Sequence, residues 1–224
     1  MVATSDLIAL VRRQFLKRAR IGSGSRQANR FAAFGDSSAI AFAPTEIFGE
    51  RYIAIGSGVL FGPRLTLTAG LGPGQVLPRG PVVTIGDRCV IGQGNGIVGM
   101  SSITIGDDVW TGHNVYITDF NHGYEDVNVP PGLQLSAPRP VSIADGVWLG
   151  NGVTVVGGAT IGKNAVIGAG SVVTGSIPNH CVAVGNPAQV IRRYDSQRGW
   201  IRTRRSSELP DDVSAQILER AASR

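Results

Sequence analysis

One long interruption of an otherwise regular chain carries the side chains best suited to acid–base chemistry. It lies between Ile117 and Val141, reads TDFNHGYEDVNVPPGLQLSAPRP, and surrounds His122 with carboxylate, amide and aromatic groups. These neighbours are Asp119, Asn121, Tyr124, Glu125 and Asp126. Histidine readily accepts a proton near neutral pH, and a long irregular segment in a compact chain is usually functional or disordered. Disorder needs no such cluster, so the segment predicts a site with His122 as general base.

Asp119 has two interpretations in the sequence. Its carboxylate can accept a hydrogen bond from the imidazole of His122 and hold one tautomer, as the third member of a catalytic triad does. It can equally cap the turn at the start of the segment through its side chain. The sequence leaves both roles open.

A period of six residues predicts the elements that must position this segment. In the second half of the chain the recurring aliphatic residues are Ile143, Leu149, Val155, Ile161, Ile167 and Val173. Upstream the period runs through Ile85, Ile91, Ile97 and Ile103, resets by two residues, and continues through Ile105, Thr111 and Ile117. Neither an α-helix nor a half-buried strand has this period. Short strands joined by glycine corners would wrap the chain into a prism with aliphatic and small side chains inside.

Two stretches carry a clear resemblance to a known family. ITIGDDVWTGHNVYI and VSIADGVWLGNGVTVVGGATIGKNAVIGAGSVVTGSIP resemble the hexapeptide-repeat acyltransferases of the sugar O-acetyltransferase type. The resemblance implies an all-β fold, a left-handed parallel β-helix over residues 31–193 with a long loop at 118–140. It also implies a homotrimer in which each site lies between two prisms. Residues 31–80 repeat poorly, and we expect them to shape the acceptor site.

The resemblance implies an acetyl-CoA-dependent transfer of an acetyl group to a hydroxyl of a saccharide or polysaccharide precursor. His122 would be the base, with Asp119 orienting it if the first interpretation holds. Residues expected to bind the acceptor are Asn114, Phe120, Asn121 and Tyr124. Flat aromatic faces suit the apolar side of a pyranose ring, and the amides suit its hydroxyls.

The resemblance also assigns a binding wall for acetyl-CoA, residue by residue. The segment VWLGN places Trp148 beside the pantetheine arm and the amide of Asn151 at the thioester carbonyl. The remaining cofactor residues are Ala169, Thr174, Gly175, Gln189 and Arg192. Family members often carry a basic residue where Gly175 and Gln189 stand, so the charge facing the phosphates is expected from Arg192, Arg193, Lys163 or the basic tail.

Both ends of the chain are basic. Residues 1–30 contain an amphipathic helix predicted over 4–20 and a linker, and we expect the helix to cover the open end of the first coil. An alternative is contact with a membrane surface. We expect residues 194–224 to be a basic tail that is polar and loosely ordered over 195–209 and has a short final helix in DDVSAQILERAAS.

Composition excludes several other classes. The 224 residues include 31 Gly and 2 Cys and carry a net charge of +5, without an apolar run that could span a membrane or serve as a secretion signal. Two cysteines make no disulfide framework or metal motif, and no nucleic-acid motif accompanies the basic ends. We therefore expect a cytoplasmic enzyme without a metal.

Two other functions stay open. One is a non-enzymatic β-helix scaffold, for which His122 would be expendable. The other is a zinc-dependent carbonic anhydrase-like enzyme, which needs three imidazoles on one metal. The chain offers only His113, His122 and His180 for that purpose.

Overall fold

The computed structural model describes residues 4–77 and 80–203, which form one helix followed by a parallel β-helix. Helix α1 spans Thr4–Ala19. The strands, in chain order, are β1 Ile21–Gly22, β2 Ala33–Phe34, β3 Ala39–Ile40, β4 Glu46–Phe48, β5 Ile53–Ile55, β6 Leu60–Phe61, β7 Thr66–Ala69, β8 Val83–Ile85, β9 Val90–Ile91, β10 Gly96–Gly99, β11 Ile103–Ile105, β12 Trp110–Thr111, β13 Tyr116–Thr118, β14 Val141–Ile143, β15 Trp148–Leu149, β16 Thr154–Val155, β17 Thr160–Ile161, β18 Val166–Ile167, β19 Val172–Val173, β20 Ser176–Ile177, β21 Cys181–Val184, β22 Gln189–Asp195 and β23 Gly199–Arg202.

Consecutive strands enter three sheets in turn, and this rotation makes the prism. The first sheet has the order β2-β5-β8-β11-β14-β17-β20, the second β1-β3-β6-β9-β12-β15-β18-β21-β22-β23, and the third β19-β16-β13-β10-β7-β4. Each coil therefore contributes one strand to each sheet and turns at three corners. We call the turn from first to second sheet the first corner, from second to third the second corner, and from third back to first the third corner.

The predicted six-residue period is the burial pattern of these coils. Every aliphatic residue of the second-half series is buried, as is the upstream series, and the strands pair in parallel register, for example Ile105 with Ile143. The reset by two residues falls on β11, where Ile103 and Ile105 are both buried on one strand. Inward-facing side chains thus stack from coil to coil and form one continuous apolar core.

Polar side chains tie neighbouring coils together at the first corner. The carboxylate of Asp107 accepts a hydrogen bond from the amide of Asp87 at 2.8 Å, and Asp145 accepts one from Asp107 at 3.0 Å. The Arg88 guanidinium donates to the Asp108 carboxylate at 2.8 Å and also to Asp107, which lowers the pKa of Asp108. These bonds satisfy turn amides that a stack of short strands leaves unpaired.

Cys89 is a packing residue. Its side chain is fully buried in the core, and burial raises the pKa of its thiol from 9.0 to about 11. A thiol that stays protonated behaves as a small apolar group, as its inward position in the repeat predicts.

The first coils are more regular than the sequence suggests. Residues 33–48 and 53–69 form two complete coils, β2-β3-β4 and β5-β6-β7, in the same register as those that follow. The period is hidden there because glycine, proline and polar residues occupy several outward and turn positions. Between β7 and β8, residues 70–77 and 80–82 leave the coil at the third corner.

Both ends differ from expectation. Leu10, Val11 and Phe15 of α1 are exposed, so these apolar side chains do not cover the open edge of the first coil, although Phe15 packs edge-on against Phe42. Strand β1 covers that edge instead by pairing antiparallel with β3. At the other end, β22 crosses the predicted boundary at residue 193, and β23 follows it in an antiparallel hairpin where loose structure was expected. The predicted final helix lies outside the described residues.

Candidate active site

The long loop, residues 119–140, begins at the third corner with a residue whose carboxylate is fully buried. Asp119 follows β13 directly, and its two carboxylate oxygens accept hydrogen bonds from the amides of Met100 at 2.7 Å, Ser101 at 2.6 Å and Ser102 at 2.6 Å. Three amide donors satisfy this buried charge. The structure has no hydrogen bond from the His122 imidazole to Asp119. The carboxylate caps a turn, as in the second interpretation, but the turn belongs to the preceding coil and not to the start of the loop.

The two ends of the loop are held against each other and against the next coil. The amide of Arg139 donates to the carbonyl oxygen of Asp119 at 2.7 Å, and the amide of Gly158 donates to the carbonyl of Arg139 at 3.1 Å. A side chain at Gly157 would come within 2.8 Å of the Asp119 carbonyl oxygen. Glycine at this position thus permits the close approach that anchors the loop.

His122 receives its orientation from a main-chain carbonyl. Its Nδ1 lies 3.3 Å from the carbonyl oxygen of Gln134, which also accepts the amide of Gly123 at 2.9 Å. A carbonyl oxygen can only accept, so of the two neutral tautomers this contact favours the one with the proton on Nδ1. That tautomer leaves the lone pair on Nε2, the state that a general base needs.

Gln134 also shapes the loop through its side chain, and the sequence analysis missed it. Its Nε2 donates to the carbonyls of Asp126 at 2.8 Å and Val129 at 2.6 Å, and its Oε1 accepts from the amide of Asp126 at 3.1 Å. These three bonds hold the 126–129 turn against the strand-like segment that faces His122. A glutamine in an irregular segment carries no sequence pattern that would have singled it out.

The predicted acceptor residues on the loop are close neighbours of His122 in the sequence. Phe120 is half-buried, and Asn121 and Tyr124 are exposed. The side-chain oxygen of Asn121 accepts the amide of His122 at 2.9 Å, so its amino group is the part left for a ligand. The amide of Tyr124 donates to the Glu125 carboxylate, which lowers the pKa of Glu125.

The cofactor residues of VWLGN lie on the second sheet and at the second corner. Trp148 is 54% exposed and pairs in register with Trp110, which is 59% exposed. The two indoles thus occupy adjacent outward positions on one wall. Trp110 was not predicted, although its segment VWTG repeats the pattern of VWLG and signals the same position one coil earlier.

Asn151 presents a free amide for a definite structural reason. At the second corner, residues at equivalent positions of successive coils stack in a column that contains His113 and Asn151. In this column, the amide of His113 donates to the side-chain oxygen of Asn151 at 2.8 Å. The next residue in the column is Ala169, whose side chain has no acceptor. Within residues 4–77 and 80–203, the Asn151 amide accordingly has no hydrogen-bond partner. Asn114 lies at the same corner in a left-handed conformation with φ 55°.

The end of the β-helix holds a pocket of about 500 Å³ at the third corner. Of the predicted cofactor residues, Thr174, Gly175 and Gln189 line it, and Arg193 lines it too. Arg192 is not among the lining residues, because neighbouring residues of a strand point to opposite faces. Lys163 lies at the first corner with its Nζ 3.9 Å from the Asp145 carboxylate. Of Arg192, Arg193 and Lys163, the structure brings Arg193 to this pocket, and the tail beyond residue 203 lies outside the described residues.

Within one chain, the predicted residues therefore form separate groups. The loop with His122 and the pocket with Gln189 and Arg193 lie at the third corner, two coils apart. Asn151 and Ala169 lie at the second corner, with a sheet between.

Comparison with known proteins identifies the family. Residues 82–119 match the model described as hexapeptide repeat of succinyl-transferase, and residues 140–175 match bacterial transferase hexapeptide. WbbJ of Escherichia coli, named as a lipopolysaccharide biosynthesis O-acetyl transferase, is 36% identical over 153 residues, which cover 65% of this chain and 77% of WbbJ. The chain belongs to the hexapeptide-repeat acyltransferases.

Three further proteins are similar to this chain over different shares of its length. An Escherichia coli protein named polysialic acid O-acetyltransferase is 34% identical over 138 residues, 61% of this chain and 44% of that protein. A maltose O-acetyltransferase from Clostridium difficile superposes with a TM-score of 0.50 at 26% identity, over 85% of this chain and 86% of that one. AntD, an N-acyltransferase from Bacillus cereus solved with dTDP and 3-hydroxybutyryl-CoA, has a TM-score of 0.61 at 17% identity over 90% of this chain and all of that one, and shares the fold.

The three histidines of this acyltransferase lie apart. His113 is at the second corner, His122 on the loop of the third, and His180 at the first, where its amide donates to the carbonyl of Lys163 at 2.9 Å. Among residues 4–77 and 80–203, no three His, Cys, Asp or Glu side chains are grouped as metal ligands. In the part of the chain that the structure describes, the three imidazoles therefore do not share one metal position. In the same described part, no helix has the length and hydropathy to cross a bilayer.

Proposed function

We propose that this protein transfers an acetyl group from acetyl-CoA to a hydroxyl of a saccharide or polysaccharide precursor, with His122 as general base. The observation that carries the proposal is the contact between Nδ1 of His122 and the Gln134 carbonyl oxygen, 3.3 Å apart, on an exposed loop of a family member. It leaves Nε2 as the basic nitrogen.

The chemistry follows from that tautomer. Nε2 of His122 takes the proton of the acceptor hydroxyl while the oxygen attacks the thioester carbonyl, because a neutral alcohol is a weak nucleophile. The tetrahedral intermediate carries its charge on the former carbonyl oxygen, and the Asn151 amide is a donor suited to it. Collapse breaks the carbon–sulfur bond, and the imidazolium returns its proton to the leaving CoA thiolate.

The donor would run along the wall from Trp148 past Ala169 to the pocket of about 500 Å³. Small residues let a thin pantetheine arm lie close to the coil. At the pocket, the Arg193 guanidinium is the group suited to the CoA phosphates, in place of the predicted Arg192. Thr174, Gly175 and Gln189 would form the rest of the site that holds the adenosine of CoA.

The acceptor would lie against Phe120 and Tyr124, with the amides of Asn121 and Asn114 toward its hydroxyls. The relatives named for lipopolysaccharide and for polysialic acid support a saccharide acceptor. Residues 70–77 and 80–82 leave the same corner as the His122 loop and would border the acceptor on its amino-terminal side.

We further propose a homotrimer of left-handed β-helices, with each active site shared by two chains. Asn151 and His122 lie at different corners of one chain, so an amide and a base can face each other only across an interface. The loop supports this, because Tyr124, Val127, Leu133 and Leu135 are all more than 60% exposed. Apolar side chains grouped in this way are typical of a contact surface.

Thiol release from acetyl-CoA tests the proposed function directly. Purified protein is assayed with neutral oligosaccharides, sialic acid oligomers and an amino sugar, and the product is treated with mild alkali, which cleaves esters and spares amides. We expect thiol release that depends on a saccharide and an alkali-labile product. No release with any acceptor would favour the scaffold, and an alkali-stable product would mean an N-acetyltransferase.

A further inference from the structure

Helix α1 presents an apolar face that nothing in the described chain covers. Leu10, Val11 and Phe15 are 53%, 60% and 56% exposed, and Leu16 is also exposed. On a helix, Val11 and Phe15 are one turn apart and lie on the same side. Phe15 also packs edge-on against Phe42 of the first coil, with ring centroids 5.4 Å apart. This contact extends the apolar surface from the helix onto the β-helix body, since Phe42 is itself exposed.

The same region is strongly cationic. Residues 4–30 contain seven Arg and Lys residues and a single acidic residue, Asp6. Arg12, Arg18, Arg20, Arg26 and Arg30 are all exposed. Only Arg30 has an acidic partner among the described residues, Glu50 at 3.0 Å, and its side chain is still 67% exposed. The surface therefore combines apolar side chains with several unneutralised charges of one sign.

This combination distinguishes between the possible partners. A second copy of α1 would bring two cationic surfaces together in water, where like charges oppose association. An anionic lipid surface takes both features at once, because the apolar residues enter the headgroup region and the guanidinium groups meet lipid phosphates. We infer that α1 docks this protein on anionic membrane surfaces, where it lies along the interface rather than crossing it.

The test is co-sedimentation of the full-length protein with vesicles of phosphatidylcholine alone or mixed with about one third phosphatidylglycerol. We expect binding to the mixed vesicles that weakens as salt is raised, and little binding to the neutral ones. The variant Val11→Gln with Phe15→Gln should bind at least about tenfold more weakly, because it removes apolar area without changing charge. The variant Arg12→Gln with Arg18→Gln should bind more weakly by a similar factor and show a smaller salt dependence.

A matched control removes exposed apolar residues elsewhere. Leu71 and Val76 lie in the 70–77 turn and are exposed, so Leu71→Gln with Val76→Gln should bind vesicles like the wild type. The inference would be overturned if the wild-type protein did not bind the mixed vesicles, or if the helix variants bound them as strongly as the wild type. A lower oligomer mass of the Val11→Gln, Phe15→Gln variant in light scattering would instead make α1 a contact between copies and also overturn it. Circular dichroism of each variant establishes that it is folded.

Discussion

Nδ1 of His122 and the main-chain carbonyl oxygen of Gln134 lie 3.3 Å apart, across the two facing segments of the long loop. The carbonyl does for the imidazole what Asp119 was expected to do, since it selects the tautomer without adding a negative charge. The proposed base therefore depends on the conformation of the loop rather than on a second titratable side chain.

The first prediction concerns the base itself. His122→Asn should lower kcat by about 10²–10⁴-fold, because general-base catalysis contributes about that much. The KM for acetyl-CoA should change little. His180→Asn is the matched control, since His180 sits at another corner with φ 49°, a conformation that asparagine tolerates. Initial rates of thiol release measure both, and an active His122→Asn enzyme would remove His122 from the mechanism.

The second prediction concerns Gln134 as a positioning residue. Gln134→Ala keeps the carbonyl but loses the three side-chain bonds to residues 126 and 129, so the carbonyl is held less firmly. We expect kcat to fall about tenfold with an unchanged KM for acetyl-CoA, because misplacing a base costs rate rather than donor binding. Gln197→Ala is the control, as Gln197 is exposed in the turn between β22 and β23. Equal kcat values for the two variants would contradict this role.

The third prediction separates the two interpretations of Asp119. Asp119→Asn replaces a buried acceptor of three amide bonds and should lower the free energy of unfolding by roughly 2–4 kcal/mol. Asp126→Asn, on the exposed part of the loop, should change it by less than about 0.5 kcal/mol. Urea denaturation measures both. A fully stable Asp119→Asn enzyme with low kcat and a shifted pH–rate profile would instead mean that Asp119 acts on the imidazole.

The fourth prediction concerns the CoA phosphates. Arg193→Ala should raise the KM for acetyl-CoA by about ten- to a hundredfold, the loss of a charge-assisted hydrogen bond, with little effect on the KM for the saccharide. Arg192→Ala is the adjacent control, because its side chain does not line the pocket. The reverse result would return the phosphate contact to Arg192, as the family resemblance implied.

The fifth prediction concerns the shared site. His122→Ala and Asn151→Pro should each be inactive, since proline has no amide to donate, whereas Asn151→Ala keeps that amide and should stay active. Unfolding and refolding the two inactive variants together in equal amounts should restore about one quarter of the sites, because each site draws its base and its amide from different chains. A co-refolded sample that stays inactive, with both variants folded and mixed, would place the whole site in one chain.

The sequence by itself determined the repeating part of the fold and the location of the loop. An aliphatic residue at every sixth position, as from Ile143 to Val173, is compatible with short strands that turn at regular corners. This pattern can be recognised without knowing which residues distant in the sequence are in contact. The loop was visible for the same reason, since twenty-odd residues after Ile117 break the period. Within the early coils the period was hidden, because packing there tolerates shorter and more polar residues at turn and outward positions.

Only the tertiary structure decided the roles of the residues around His122. Whether the Asp119 carboxylate meets the imidazole or the amides of residues 100–102 depends on the adjacent coil, which is about twenty residues away in sequence and in contact in space. The free amide of Asn151 likewise depends on the side chain of the residue stacked on it in the next coil. The exposure of Phe15 depends on where the first coil ends. Such contacts join residues that no local pattern relates, so the sequence left them open.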